Sequence, residues 1–598
     1  MLKQPTDFEL FQDHRQLGLT GFNTIIDAAD LQDNQSPDID NMTLDSGILM
    51  PRRGTELYAP KPEGETEDAL QLMKAADSIG RQYMIAVYGD NFYLVEDNKT
   101  ILLNNSFFPT EKTLKYGYTS WNEGLGADRL YFCNGVDDFM KWPICRGVLA
   151  APVGASDTTV TLEDAVPFPD DGFVILDDGD NRLVLEYTSK SGNVLNLNGT
   201  AGDTMGTGAY AVCAITNDSS MEKGKVVATH DRRLMVANEY QNEVKLAYSA
   251  TNDPEEFTIG SDPADGGLLI ITDGNGEITD LKDFGEYLLV SKKDAQFRFS
   301  IDLNQAGDGK LEIFKPLISG DNLGPVSTQA SIKVSNDLFY LTARNDLFRL
   351  NPTQTGNTSS VKTGVISAII SNYTKGLNFT GSEVAYFEQK IAWLFGYGEV
   401  INALLVYDMV REAWLKISGW NAVSIISVNK RFFYLDRITG DIVEGFTGLA
   451  DIAQDYEAYF YTKRFHHGKP SMPKTADAVY VEGYITPETE FYATVLYNEE
   501  GRLTEKTYKI EGAGSYASPV DISALSQSPI SVLPLGLAKI QGAGFFRVYL
   551  SIPNKLGYYN LQVKFWSNKQ GSMWGVSGMA INPSAELIIP PKLRIDPI

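Results

Sequence analysis

The side chains able to do chemistry are few in this sequence and scattered. It has four histidines, two of them adjacent in Arg464-Phe465-His466-His467-Gly468-Lys469-Pro470. Neighbouring residues of a strand point to opposite faces, so His466 and His467 are poorly placed to grip one metal ion. Cys133, Cys145 and Cys213 are an odd number without metal-ligand spacing and read as buried free thiols. Carboxylates cluster at Asp170-Asp171, at Asp177-Asp178-Gly179-Asp180 and at Glu186. Calcium favours such clusters, but Asp, Gly and Asn181 between two strands are also ordinary turn residues, and a well-placed bidentate Glu is missing. A glycosidase needs two carboxylates converging on one sugar, and a serine hydrolase needs its nucleophile on a Gly-x-Ser-x-Gly elbow. The sequence carries no Asp-box repeat and no phosphate loop, and Ser577-Gly578 belongs to no elbow. No catalytic, cofactor-binding or metal-ligating residue is therefore assigned, no cofactor is expected, and the chain reads as a protein without chemistry of its own.

What the sequence does repeat is a scaffold. Between residues 226 and 446 a short apolar strand core returns five times: Leu234-Met235-Val236, Leu288-Leu289-Val290, Phe339-Tyr340-Leu341, Ala392-Trp393-Leu394 and Phe433-Tyr434-Leu435. The middle residues are 54, 51, 53 and 41 positions apart, the spacing of four-stranded propeller blades, which repeat at about 40–50 residues. A turn and a second strand follow the core, as where Arg344-Asn345-Asp346 separates Phe339–Ala343 from Leu347-Phe348-Arg349-Leu350. Upstream, Tyr83–Tyr88, a Gly89-Asp90 turn and Phe92–Val95 make another unit, and Leu130-Tyr131-Phe132 with Asn134-Gly135 begins a further one. From Tyr131 to Met235 the interval is 104 residues, too long for one blade. Residues 148–212 have strands of their own (Thr158–Leu162, Gly172–Leu176, Leu183–Tyr187), and removing them restores the spacing.

The expected fold is mostly β: a six- or seven-bladed β-propeller with an inserted small β-module and a C-terminal β-sandwich. Its parts are an N-terminal extended arm and first strand at 1–60, the first blades at 61–147, the insertion at 148–212, the remaining blades at 213–452 and the sandwich at 453–598. The sandwich rests on alternating strands such as Ala478–Tyr484, Phe491–Tyr497, Phe545–Leu550 and Tyr559–Trp566, with a turn at Glu499-Glu500-Gly501. A length of 598 residues agrees with several domains. The start of the sequence lacks a secretory pattern and no apolar run approaches the roughly 20 residues of a membrane helix, so folding in a cytoplasm without a membrane-spanning segment is expected. A formal charge of −26 argues against gripping nucleic acid, which takes Lys and Arg to displace phosphate counterions. It permits a wall past which DNA slides, and equally a merely soluble surface.

Three phrases carry a resemblance. They are Ser36-Pro37-Asp38-Ile39-Asp40-Asn41 leading to Gly47-Ile48-Leu49 and Arg52-Arg53-Gly54, then Ala247-Tyr248-Ser249 with Asp253-Pro254-Glu255-Glu256-Phe257, and Asn322-Leu323-Gly324-Pro325-Val326-Ser327. In this order they resemble virion proteins of tailed bacteriophages, closest to the propeller-containing tail nozzle (tail tubular, packaged-DNA stabilisation) proteins of short-tailed phages. The resemblance implies a structural subunit of the virion tail, assembled in the bacterial host cytoplasm. It implies a ring of six copies that continues the portal and adaptor channel, contacts tail fibre proteins, and retains and releases double-stranded DNA without binding it specifically. The inserted module would present a surface to a neighbouring protein. The alternatives are a carbohydrate-binding or fibre-attachment protein of a tail tip or baseplate, using some of the 30 tyrosines as stacking platforms, and a propeller glycan hydrolase.

Overall fold

Seven four-stranded antiparallel sheets follow one another along the chain. The fold is that of a computed structural model describing residues 12–15 and 21–582 except 46–47, 97, 106–108, 261, 263, 286, 302–310, 314–322, 352–363, 398–400, 449, 453–454, 467–477, 487–488, 500–501, 514–538, 542–543, 552–558 and 570–572. Gly47, Asn322, His467 and the Glu500-Gly501 turn thus lie outside the described residues. The first blade comprises Ala69–Ala76, Gln82–Tyr88, Asn91–Glu96 and Lys99–Leu102; the third begins at Val226–His230, the fourth at Ile278–Asp283, the fifth at Ser331–Val334 and the sixth at Asn378–Phe387. The second blade is Gly117–Trp121, Arg129–Cys133 and Phe139–Pro143 plus Thr216–Asp218, which returns after the insertion. The seventh is Ala422–Val428, Arg431–Asp436 and Ile442–Gly445, completed by Thr55–Ala59 from the far end of the chain.

The repeated apolar core is the second strand of every blade, and its marker residues are buried: Ile85 0%, Tyr131 1%, Met235 0%, Leu289 1%, Tyr340 0%, Trp393 0% and Tyr434 3% exposed. These strands read as continuous apolar runs because both faces of a blade are covered by its neighbours. Apolar clusters join each consecutive pair. Phe92 packs with Phe132 between blades one and two, Tyr131 with Val227 between two and three, Leu246 with Val290 between three and four, and Leu289 with Tyr340 between four and five. Blades five, six and seven share one large core, and Phe433 with Met84 closes seven onto one. The turns between first and second strands include the pairs Asp231-Arg232, Glu388-Gln389 and Asn429-Lys430, all at positive φ, as two-residue hairpins of this hand require.

The insertion is a six-stranded sheet running from Gly147–Val148 to Tyr210–Cys213. One face, with Ile175 and Val212, packs on the first two blades, and the other, with Val174, Leu176 and Tyr187, builds its own core. Beyond the propeller two sheets face each other over Phe460, Phe491, Phe565 and Trp574, with the Phe491 and Trp574 rings stacked at 4.6 Å. Among the described residues the helical content is Ala368–Ile370 and Ser371–Thr374, and no helix is long and apolar enough to cross a membrane.

The N-terminal arm does not simply lead into the first blade. Gln12–Arg15, Met42–Asp45 and Ile48–Pro51 join one sandwich sheet, Ile39–Asp40 joins the other by pairing with Ala458–Tyr461, and Thr55–Ala59 then crosses to the seventh blade. Antiparallel pairing needs no local connection, so an arm can supply edge strands to sheets formed hundreds of residues later. Arg52 holds the crossing. Its buried guanidinium meets both Asp451 oxygens at 2.7 and 2.5 Å, donates to Asn41 Oδ1 at 2.8 Å, and lies 4.6 Å from the Trp420 ring centroid and 4.1 Å from that of Tyr456. Gly54 passes so close to the chain that a Cβ there would stand 2.0 Å from the Ala450 carbonyl oxygen. Nearby, Asp40 is buried and receives Ser418 Oγ at 2.5 Å. Burial raises its pKa above the ordinary value, with Lys416 pulling the other way.

Two outcomes are expected. Arg52→Met leaves Asp451 without its buried partner and costs about 3 kcal/mol or more, read by chemical denaturation. Asp40 has a folded-state pKa above its unfolded one, so its contribution to stability is fully present below the unfolded value and lost as pH rises through the folded one. Asp40→Asn should therefore raise the melting temperature at pH 7 and lose that advantage as the pH approaches 4.

Candidate functional site: the closed axis of the propeller

The first strands of the seven blades converge on one axis, where a propeller can gather groups distant in sequence. The segment entering the second blade, Lys115-Tyr116, spans this axis. Lys115 Nζ reaches Glu383 Oε1 of the sixth blade at 2.5 Å and the Val423 carbonyl before the seventh blade's Ser424 at 2.9 Å. The other Glu383 oxygen accepts Ser424 Oγ at 2.6 Å and the Ile425 N–H at 2.8 Å. Ser424 Oγ in turn accepts the Leu72 N–H of the first blade at 2.9 Å. The Tyr116 backbone exchanges bonds with the Gln71 amide, at 2.7 and 3.1 Å, and its carbonyl also accepts Gln329 Nε2 from beside the fifth blade at 3.2 Å. Two residues of the second blade thus bind blades one, five, six and seven.

Chemically, this is a tie. Both Glu383 oxygens are occupied, one by a lysine and the other by two donors. Ser424 is fully buried and its hydroxyl is spent on Glu383 and Leu72. Below it, burial and then the Glu383 charge push the Tyr118 phenol up, and burial lowers the Lys74 ammonium pKa. Further out, His230 Nδ1 lies 2.6 Å from Asp283 between blades three and four; burial works against the Asp283 carboxylate, but the His230 bond and charge outweigh it and lower its pKa.

Among the described residues, none of the side chains singled out in the sequence takes part in this network. Asp177 and Asp178 accept backbone N–H groups of their own turn, from Gly179 at 2.8 Å and from Asn181 at 2.7 Å, while Asp170 projects into solvent. Glu186 bonds Asn198, and no group of three His, Cys, Asp or Glu among the described residues is placed to hold a metal. His466 lies 4.0 Å from Asp30. Ser577 and Gly578 are within the strand Trp574–Asn582, not at a strand-to-helix turn. The cysteines are buried and free. Tyr459, Trp566 and Tyr492 form a row across the sandwich, but Tyr492 and Trp566 stack on each other at 4.4 Å and Lys564 sits 4.6 Å over Tyr459, so these faces are already occupied. Lys115, Gln71, Gln329, Glu383 and Ser424 had no local signal, since the Lys115–Glu383 contact alone spans 268 positions.

The three phrases carrying the resemblance are joints of the same scaffold. Asp38 bonds Lys416 at 2.9 Å and Tyr459 at 3.0 Å, and Asn41, at φ 54°, receives Arg52. Glu255 ties Tyr131 and Lys141 of the second blade to the third at 2.9 and 2.5 Å, with Phe257 packed between them. Gly324 threads past the fourth blade where a Cβ would come within 1.8 Å of the Lys292 carbonyl oxygen.

No protein-family model matches the chain, and no curated protein matches it. Among solved structures, an exo-β-1,3-galactanase from Phanerochaete chrysosporium with bound β-1,3-galactotriose aligns at 8% identity and TM-score 0.21, over 59% of this chain and 94% of that one. The WD40 domain of SCAP from fission yeast aligns at 9% identity and TM-score 0.28, over 63% and 84%. A Bacteroides thetaiotaomicron protein of unknown function aligns at 10% identity and TM-score 0.25, over 64% and 99%. The propeller assignment rests on the sheets themselves.

A double-mutant cycle checks the tie. Lys115→Met leaves Glu383 buried without its cation and should destabilise the fold by about 3 kcal/mol, whereas Lys115→Met with Glu383→Gln, which removes the charge but keeps an acceptor for Ser424 and Ile425, should recover much of that loss.

Proposed function

We propose that this chain is a structural subunit of a bacteriophage tail, the nozzle ring that continues the portal and adaptor channel and retains and releases genomic DNA, without chemistry of its own. The observation that carries the structural part is the Lys115–Glu383 tie. The place where a propeller could gather reactive groups holds an ion pair and hydrogen bonds that stitch blades together. The phage assignment is carried by the three phrases near Ser36, Tyr248 and Gly324. With the axis bridged, DNA passes through a lumen enclosed by several copies, and each propeller serves as a plate in the wall. A closed ring of blades suits this because it leaves few free sheet edges to pair at random. The charge of −26 agrees with a wall that does not hold phosphates.

Cryo-EM of assembled particles should place the chain in a ring at the tail, and light scattering should find either a ring or a monomer that joins a preformed one. Density in the capsid lattice, or absence of the chain from particles, would overturn the reading. Tight glycan binding by an isolated monomer would favour the carbohydrate-binding alternative.

A further inference from the structure

We propose that Cys145 and Cys213 are a redox-active pair that closes as a disulfide across the neck of the inserted module. The chain leaves the second blade after Phe139–Pro143 and returns at Thr216–Asp218, where Lys141 pairs with Thr216. The module's first and last strands pair Gly147 with Ala211 and Val148 with Tyr210. Cys145 lies two residues before that ladder, and Cys213 is the last residue of its second strand. A disulfide spans roughly 4.4–6.8 Å between Cα atoms. The contact between them is direct: the Cys213 N–H donates to Cys145 Sγ at 3.0 Å, which keeps the two residues within that reach. Both sit in the module's core, while Cys133 belongs to the separate core between blades two and three.

The oxidant is a small disulfide such as oxidised glutathione. Cys145 gives its proton to water, attacks one glutathione sulfur and displaces a glutathione thiolate. Cys213, losing its proton, then attacks the Cys145 sulfur of the mixed disulfide and releases the second glutathione. The protein loses two electrons and two protons, and one glutathione disulfide becomes two thiols. Burial raises the Cys145 thiol well above its ordinary range, and the Cys213 thiol adds to this against the Cys213 N–H, so the reaction waits on opening of the neck. Once closed, the bond ties the two ends of the module to each other independently of the strand ladder.

The full-length chain is incubated with oxidised glutathione, denatured, alkylated, and measured by intact mass and peptide mapping. Closure leaves one alkylatable thiol of three, gives a Cys145–Cys213 cross-linked peptide, raises the melting temperature and reverses with dithiothreitol. Cys133→Ser should still close, and Cys145→Ser or Cys213→Ser should each keep two alkylatable thiols. The proposal is overturned by three alkylatable thiols after oxidation at a temperature where hydrogen exchange reports an open neck. Glutathione adducts without the cross-link, or links through Cys133, overturn it equally.

Discussion

The ring closes because a strand from the far end of the chain completes the last blade, and the rest of the structure depends on that crossing. Thr55–Ala59 supplies the outer strand of the seventh blade only after the chain has already laid strands into both sheets of the sandwich. Propeller and sandwich are therefore interlocked around residues 39–59. Arg52 is suited to the crossing because a planar guanidinium can satisfy a carboxylate with its edge while both faces lie against aromatic rings. Asp451, Trp420 and Tyr456 provide this enclosure from three places in sequence.

A second constraint acts along the axis. Seven inner strands cannot close on a point, and the polar groups that face the gap must find partners or water. Here the partners come from across the ring: a lysine of the second blade answers a glutamate of the sixth, and amides of the first and fifth blades answer the Tyr116 backbone. Breaking any one of these bonds leaves the others in a poorly solvated place, so the network behaves as a unit. The inserted module follows the same economy, using one sheet for two cores.

Much of this was legible in the sequence, and for a definite reason. A blade is buried on both faces, so its second strand must be apolar without interruption, and such runs recurring every 40–50 residues or so mark a propeller before any contact is known. The same spacing located the insertion, because a loop removed from one blade must leave the others in step. Less visible were the turns. Glu388-Gln389 adopts left-handed backbone with side chains that carry no strong turn signal, since the surrounding strands impose the conformation.

What the sequence determined by itself was periodicity: the kind of element, the repeat, the inserted module and the alternation of the sandwich strands, all of which depend on residues close together in the chain. Tertiary structure alone decided which distant residues meet. Nothing around Thr55 shows that it belongs to the seventh blade, nothing around Lys115 shows Glu383, and nothing around Cys145 shows that its sulfur meets the Cys213 amide. Hydrophobic patterning is summed over many residues and survives local ambiguity, whereas a hydrogen bond or ion pair between two side chains depends on a geometry that exists only after the ring has closed.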